Sequence, residues 1–193
     1  MLNPHSIPFS TTTKVPGSYF RDNRTRLVNN VKATLGDKYV KNSFIIMKSQ
    51  GEHLPNHDDD CGCDQYNNCE VNFFYLFGLN NYYDMYGIIN CDTNETILTV
   101  ADTTTIERVI SKLLHKDETN PDEIYVDQII NNSKIEALFD HTENLGQIFI
   151  NEGHLGRNRK LSHVPDFEWF SRFNVDKETL LPVIVNQRAV KSE

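Results

Sequence analysis

The sequence has no long apolar run and no secretion signal. No stretch of its 193 residues approaches the ~20 consecutive apolar residues that a membrane-spanning helix needs. The amino terminus, MLNPHSIPFSTTTKVPG, lacks the basic start and the apolar middle of a signal peptide. These absences predict a cytoplasmic protein with no membrane partner, whose four cysteines are reduced.

Basic charge is also scarce. There are 19 Lys and Arg residues against 27 Asp and Glu residues, so the formal net charge is −8. Because this charge repels a phosphate backbone, we expect no nucleic-acid partner. The hydrophobic fraction of 38% and the charged fraction of 24% are ordinary for a globular chain, and this length favours a single domain.

Familiar catalytic motifs are missing as well. The sequence has no G-x-S-x-G nucleophile elbow, no glycine-rich phosphate loop and no H-E-x-x-H pair. His141, His154 and His163 are scattered, and a lone loop histidine is more often a surface residue than a catalyst. The basic cluster at 157–160 is more typical of a solvated loop than of an anion site. The residues alone therefore predict no catalytic centre.

Potential metal ligands are concentrated in one polar segment, HLPNHDDDCGCDQYNNC. Structural zinc sites usually use two C-x2-C pairs, whereas one residue separates Cys61 from Cys63, and Cys69 stands apart. We interpret the segment as a solvated acidic loop; the alternative is a specific metal site that uses His57, Cys61 and Cys63. Cys91 is predicted to be a small core residue. The candidate ligands are His53, His57, Asp58, Asp59, Asp60, Cys61, Cys63, Asp64 and Cys69.

Apolar spacing predicts the regular elements. An amphipathic helix enters at Pro16 and leaves at Gly36, and another begins with the capping box of Thr104 and Glu107. Shorter helical stretches are predicted at 126–130 and from Ser133. Five apolar runs are predicted as strands: 43–47, 73–77, 85–91, 97–100 and 147–150.

The aromatic run NFFYLFG is apolar on both faces, which favours a central strand covered by helices and the start of a three-stranded meander. The alternation of strands and helices predicts an α/β fold, a single three-layer domain with a mixed sheet flanked by helices.

Four segments also carry a family resemblance, in matching chain order from Lys14 onward. VNFFYLFGLNNYYDMYGIINCDTNETILTV resembles the N-F-x-Y-L-x-G segment, glycine-led strand and Asp-rich turn in the N-terminal domain of the Xaa-Pro peptidases, the prolidase and aminopeptidase P family. KVPGSYFRDNRTRL is similar to the opening of eukaryotic prolidases. IYVDQI is similar to their V-D-E-I segment, and LLPVIVNQRAVKSE to the linker into their catalytic domain.

The resemblance implies a domain layout and a function. Residues 18–182 would be the creatinase-like N-terminal domain, and 183–193 the start of a linker to an absent C-terminal catalytic domain. Composition alone predicts that residues 1–17, which are rich in Pro, Ser and Thr, form a flexible lead-in. The chain would be a non-catalytic dimerisation and substrate-gating domain of a metallopeptidase that cleaves peptides with proline in the second position. The alternative is a stand-alone protein-interaction module with the same fold and no peptidase activity.

The same resemblance implies the cofactors and partners. The family's two metal ions, usually Mn(II), belong to the absent domain, so this chain would hold no cofactor and no catalytic residue. Its expected partners are its own catalytic domain, a second copy in a homodimer, and short proline-containing peptides. Tyr82, Tyr83 and Tyr86 are candidates for the dimer surface, or else ordinary loop and core tyrosines. The chain departs from the family pattern, for example with Asn67, Asn68 and Cys69 where relatives have F-R-Q. Prolidase and aminopeptidase P specificity therefore stay open as alternatives.

Overall fold

The computed structural model describes residues 17–49, 71–79, 84–101, 126–151 and 165–190. Within them, six strands form one sheet in the order β4-β3-β2-β1-β5-β6. No helix in these ranges is long and apolar enough to cross a membrane. The strands are β1 (Phe44–Lys48), β2 (Tyr86–Asn90), β3 (Thr96–Val100), β4 (Gln128–Asn131), β5 (Gln147–Ile150) and β6 (Asn174–Asp176), and the helices are α1 (Gly17–Leu35), α2 (Val71–Phe77), α3 (Ile135–Asp140) and α4 (Leu180–Ala189).

Strand directions give the sheet two distinct ends. Strand β2 is antiparallel to both of its neighbours, β1 and β3. The other neighbouring pairs, β3 with β4, β1 with β5 and β5 with β6, are parallel. Five strands therefore finish at one end of the sheet, which we call the carboxyl end, and β2 begins there. The opposite end is called the amino end. The sheet is mixed, as predicted.

Helices α1, α2 and α4 cover one face of the sheet. The predicted helix at the start of the described chain is confirmed as α1, whose Leu27, Val28 and Val31 are fully buried. The predicted exit is confirmed too, because Gly36 has a φ of +53°, a conformation that glycine adopts without steric cost.

The predicted strand at 73–77 is wrong, because these residues form helix α2. A run of consecutive apolar residues fits a buried helix as well as a strand. Here, Phe73 and Phe77 lie one helical turn apart with stacked rings, 4.6 Å between centroids. A Cβ atom at Gly87 would collide with the Phe77 ring. The glycine in β2 therefore makes room for α2, and the meander consists of β1, β2 and β3 instead.

Side chains from α1 complete the carboxyl end of α2, where the helix leaves unpaired carbonyl groups. Asn23 Nδ2 donates to the Tyr75 carbonyl at 3.1 Å, and Arg24 Nη1 donates to the Leu76 carbonyl at 2.8 Å. Burial lowers the pKa of Arg24 to about 10, which still leaves the guanidinium positively charged at neutral pH. The cation is also favourable at this negative end of the helix.

Aromatic side chains cover the other face. Helix α3 and a 3-10 turn at Glu168–Arg172 bring Phe139 and Trp169 together, 5.8 Å between ring centroids. Phe139 also contacts Phe44 of the sheet, edge to face at 5.3 Å. Helices on both faces confirm the three-layer arrangement.

The remaining predictions have mixed outcomes. The strands predicted at 43–47, 85–91, 97–100 and 147–150 are confirmed as β1, β2, β3 and β5, and α3 follows Ser133 as predicted.

The helix predicted at 126–130 is wrong, because Gln128–Asn131 forms β4. Ile129 and Ile130 there pack against opposite faces of the sheet. Strand β6 was not predicted. The helix predicted at 104–114 lies outside the described residues.

Helix α4 begins before the predicted boundary at residue 182 and ends after it. Its Leu180 and Ile184 are fully buried in the same core cluster as α1. The domain layout itself stays a prediction.

Candidate functional site

Polar side chains from four segments gather at the carboxyl end of the sheet. Lys48 is the last residue of β1, and Asp84 lies two residues before the start of β2. Thr99 lies near the end of β3, and Asn132 directly follows β4. In open α/β sheets this end is the usual place for ligand contacts. We therefore treat Lys48, Asp84, Tyr86, Thr99 and Asn132 as the candidate site and call them the carboxyl-end cluster.

An ion pair between Lys48 and Asp84 forms the charged part of the cluster. Lys48 Nζ lies 2.8 Å from Asp84 Oδ1, and the two side chains are 16% and 38% exposed. The same ammonium group stands 5.7 Å from the centre of the Tyr86 ring, within the range of a cation–π contact. One cation and one anion thus lie side by side at the surface.

The Tyr86 hydroxyl is held in its neutral form. Burial raises the pKa of Tyr86, the Asp84 carboxylate raises it further, and Lys48 opposes both effects. A neutral phenol donates and accepts hydrogen bonds, so this group takes part in hydrogen bonding and does not act as a base that abstracts a proton.

Asn132 joins the ends of three strands. Its Nδ2 atom donates to the Asp84 carbonyl at 2.7 Å. Its Oδ1 atom accepts a hydrogen bond from the Thr99 hydroxyl at 2.5 Å. Both ends of the amide are therefore used, which fixes the backbone that carries Asp84.

The cluster is equipped for recognition. The Lys48 ammonium group and the Asp84 carboxylate can pair with charged groups of a ligand, whereas Thr99 is fully buried and Tyr86 is 8% exposed. Nucleophilic catalysis needs a hydroxyl or thiol beside a base, and the five cluster residues do not supply that pair. Nowhere in the described ranges do three or more His, Cys, Asp or Glu residues lie close enough to share a metal ion.

Most residues singled out from the sequence lie outside the described residues. These are the whole polar segment with His57, Cys61 and Cys63, together with Tyr82, Tyr83, His154, His163 and the basic cluster at 157–160. The metal-site hypothesis for that segment therefore stays untested.

Three sequence candidates are described, and only one belongs to the carboxyl-end cluster. Tyr86 lies in β2 and is 8% exposed, packed against Phe167, which fits the interpretation as a core tyrosine. His141 is exposed after α3. Cys91 lies at the amino end, fully buried as predicted, and burial raises the pKa of its thiol to about 12.

Sequence reasoning missed Lys48, Asp84 and Asn132. A signal for them existed, because each directly follows or closely precedes a short apolar run. The polar residues at strand ends are where a sheet presents its binding groups. Their mutual proximity required the strand order, which the sequence did not supply.

Comparisons with known proteins address the fold. Neither a protein-family model nor a curated protein matches the sequence significantly. Among solved structures, the chain is similar to a Bacillus anthracis protein assigned as an aminopeptidase P, with a TM-score of 0.57 and 16% identity. That likeness covers 92% of this chain and 41% of the other chain.

The chain is also similar to two structures of Escherichia coli aminopeptidase P. The low-pH form is 17% identical to this chain, and the form with the inhibitor Pro-Leu is 19% identical. Each likeness covers 75% of this chain and 31% of the other chain, with a TM-score of 0.46. The Bacillus likeness shows the fold, that of the N-terminal part of aminopeptidase P. The chain spans 41% of the length of the Bacillus protein.

Proposed function

We propose that this chain is a non-catalytic, substrate-gating domain of a metallopeptidase that cleaves peptides with proline in the second position. The observation that carries the proposal is the shared fold, which covers 92% of this chain but only 41% of the chain of the aminopeptidase P structure. The peptidase activity would then belong to a part of the parent protein that this chain does not match.

The packing roles of the family-like positions support a scaffold function. Asn72 Oδ1 accepts a hydrogen bond from Arg188 of α4 at 2.6 Å. Gly78, with a φ of +67°, leaves no room for a Cβ atom, which would lie 2.6 Å from the Phe20 ring. Both residues belong to the 71–100 segment that resembles the Xaa-Pro peptidases. These contacts hold the helices together. The motif residues Asn72 and Gly78 therefore have structural roles in this domain, which fits a scaffold better than a catalytic site.

The carboxyl-end cluster is the part of the domain best suited to meet a peptide. The Lys48 ammonium group can bind the terminal carboxylate of a short peptide, and the Asp84 carboxylate can bind an amino group. Asp84 is 38% exposed, so it remains accessible to such a partner. We infer that this end of the sheet limits which peptides reach the active site of the parent.

The proposal includes a manganese cofactor in the parent protein, a homodimer and a cytoplasmic location. Manganese would be bound by the catalytic part of the parent protein. Among the described residues of this chain, no three His, Cys, Asp or Glu side chains lie close enough to share a metal ion. We expect the parent protein to be a homodimer in the cytoplasm.

Hydrolysis of Xaa-Pro peptides tests the proposal. The purified 193-residue chain and the parent protein would each be incubated with MnCl2 and either the dipeptide Ala-Pro or the tripeptide Ala-Pro-Ala. We expect hydrolysis by the parent alone, and the preferred peptide distinguishes prolidase from aminopeptidase P specificity. Hydrolysis by the isolated chain would contradict the proposal. A parent protein without either activity would favour the stand-alone interaction module.

A further inference from the structure

Exposed apolar side chains are concentrated on one layer of the molecule. Among the described residues, the large apolar side chains that are exposed are Tyr19, Val40, Phe74, Val185 and Val190. All except Val40 lie on α1, on α2, or in and directly after α4. The layer that covers one face of the sheet therefore has a second, outward apolar surface.

Aromatic rings form the centre of this surface. Tyr19 and Phe74 are 46% and 42% exposed. Both make edge-to-face contacts with Phe20, with ring centroids 5.6 Å apart for Tyr19 and 6.2 Å apart for Phe74. Two exposed rings with fixed aromatic neighbours present a ready-made contact area, and such rings are enriched in protein interfaces.

The same layer is basic in an acidic chain. Its three helices carry five basic side chains and a single acidic one, Asp22, whereas the whole chain has a net charge of −8. The basic side chains are Arg21, Arg24, Arg26, Lys32 and Arg188. Arg24 is buried, and Lys32 lies near Asp92 at the amino end.

Two of these cations border the aromatic rings. Arg188 is exposed, its guanidinium carbon lies 6.0 Å from the centre of the Tyr75 ring, and one of its donors binds Asn72. A guanidinium group has five N–H donors, so several remain available to a ligand. Arg26 is exposed and lies two helical turns after Tyr19, which places both on one side of α1, with the exposed Asp22 between them.

A groove lies on the same layer, between α1 and α4. It has a volume of about 410 Å³ and is bordered by Asn30, Thr34, Val183 and Val190, among others. Gln187 also borders it, where it accepts a hydrogen bond from Asn30 and donates one to the Tyr75 hydroxyl. Gln187 thus links the groove to the aromatic side chains, and we call the groove and the rings together the helical-layer surface.

We propose that the helical-layer surface binds an acidic polypeptide segment that carries an aromatic side chain. Carboxylates of the partner would pair with Arg26 and Arg188, and its aromatic side chain would pack on Tyr19 and Phe74. The positive charge selects this occupant, because complementary potentials attract an acidic partner. A symmetric contact between two copies would bring like charges together.

A random copolymer of glutamate and tyrosine, labelled with a fluorophore, serves as the probe. Its binding to the full 193-residue chain would be followed by fluorescence anisotropy, with polyglutamate as the comparison. We expect saturable binding of the copolymer, weaker binding of polyglutamate, and lower affinity of both at higher salt. Absence of copolymer binding would overturn the proposal.

Paired variants locate the binding. Arg26→Glu and Phe74→Ser should each weaken copolymer binding by about tenfold or more. Lys134→Glu and Val40→Ser are the matched controls, because Lys134 and Val40 are exposed away from this surface, and they should leave the affinity unchanged. Arg26 has no ion pair within the described part of the chain, so Arg26→Glu tests the surface even if Phe74→Ser disturbs folding.

Two results would contradict the proposal. Equal losses in the test and control variants would mean that the copolymer binds elsewhere. Sedimentation of the chain as a dimer that Phe74→Ser dissociates would mean that a second copy covers the surface. The proposal does not depend on peptidase activity, so it can fail while the proposed function holds.

Discussion

At the amino end of the sheet, polar side chains fix the backbone of the loops, whereas at the carboxyl end charged side chains face one another near the surface. Ser43 Oγ donates to the Val40 carbonyl at 2.7 Å and accepts from the Gln147 N–H group at 2.9 Å. Asp92 accepts from the Asn42 N–H group at 2.6 Å. These bonds set the path of the chain into β1 and β5.

At the carboxyl end, Asn132 fixes the backbone, but the charged groups of the cluster lie near the surface. The ion pair joins Lys48, which is 16% exposed, to Asp84, which is 38% exposed, so the Asp84 carboxylate can exchange its partner for water or a ligand. Exposed ion pairs contribute about 0 to 1 kcal/mol. The comparison indicates that the amino end contributes stability and that the carboxyl end retains side chains able to bind.

The largest expected effect is at the amino end, in Gly146→Ala. The new Cβ atom would collide with the Lys41 carbonyl oxygen and lie 2.6 Å from Ser43 Oγ. Because a backbone atom cannot move away cheaply, we expect the free energy of unfolding to fall by about 3 kcal/mol, measured by urea denaturation.

Gly36→Ala is the control for this variant. Gly36 has a φ of +53° but no neighbour within 4 Å of a Cβ atom, so it should lose only about 1 kcal/mol. An equal loss in both variants would mean that the amino end is not closely packed.

A smaller effect is expected for Asp92→Asn, which tests charge at the amino end. Burial disfavours the charged carboxylate, but the hydrogen bonds from Asn42 and Tyr39 and the positive charges of Lys32 and Lys41 outweigh it, so the pKa of Asp92 is lowered. The charged form therefore stabilises the fold above the unfolded pKa of about 3.9. This contribution is lost as the pH falls through the lower pKa of the folded state.

The free energy of unfolding of Asp92→Asn should be about 1 kcal/mol lower than that of the wild type near neutral pH. This difference should shrink once the pH falls below about 4. Urea denaturation of both proteins over this pH range measures the difference, with the exposed Asp37→Asn as control. A difference that stays constant in acid would contradict the role given to the Asp92 charge.

The smallest effect on stability is expected at the carboxyl end, in Lys48→Met. Methionine keeps the apolar stem over Tyr86, and Asp84 can be hydrated, so the loss should stay below about 1 kcal/mol. In the peptidase proposed as the parent protein, we expect a higher KM with an unchanged kcat, because the group would contribute to binding alone. The exposed Lys134→Met is the control. A lower kcat with unchanged KM would contradict a gating role for Lys48.

Several helices and strands could be predicted from local pattern, because the residues within each element are enough to determine whether it forms a helix or a strand. The helical spacing from Phe20 to Leu35 and the exit at Gly36 gave α1, and short apolar runs next to turn residues gave β1, β2, β3 and β5. The mixed α/β class followed from their alternation. Strand β6 has only three residues, too few for a periodic pattern.

Elements whose identity depends on their neighbours were predicted wrongly. The run from Phe73 to Phe77 is apolar at almost every position, so periodicity could not distinguish a helix from a strand. In the structure the run is a helix, and its Phe77 ring packs against Gly87 of β2, a contact that lies outside any local sequence window. Gln128–Asn131 becomes a strand because the edge of β3 is available for parallel pairing, a partner that no local window contains.

The sequence by itself determined the acidic charge, the main helix and strands, and the resemblance to the Xaa-Pro peptidases, because these depend on composition and on residues close together in the chain. Only the tertiary structure decided that Lys48, Asp84 and Asn132 form one cluster and that Tyr19, Phe74 and Arg188 share one surface. Residues 36 to 169 positions apart meet there, and strand order and helix packing bring them together.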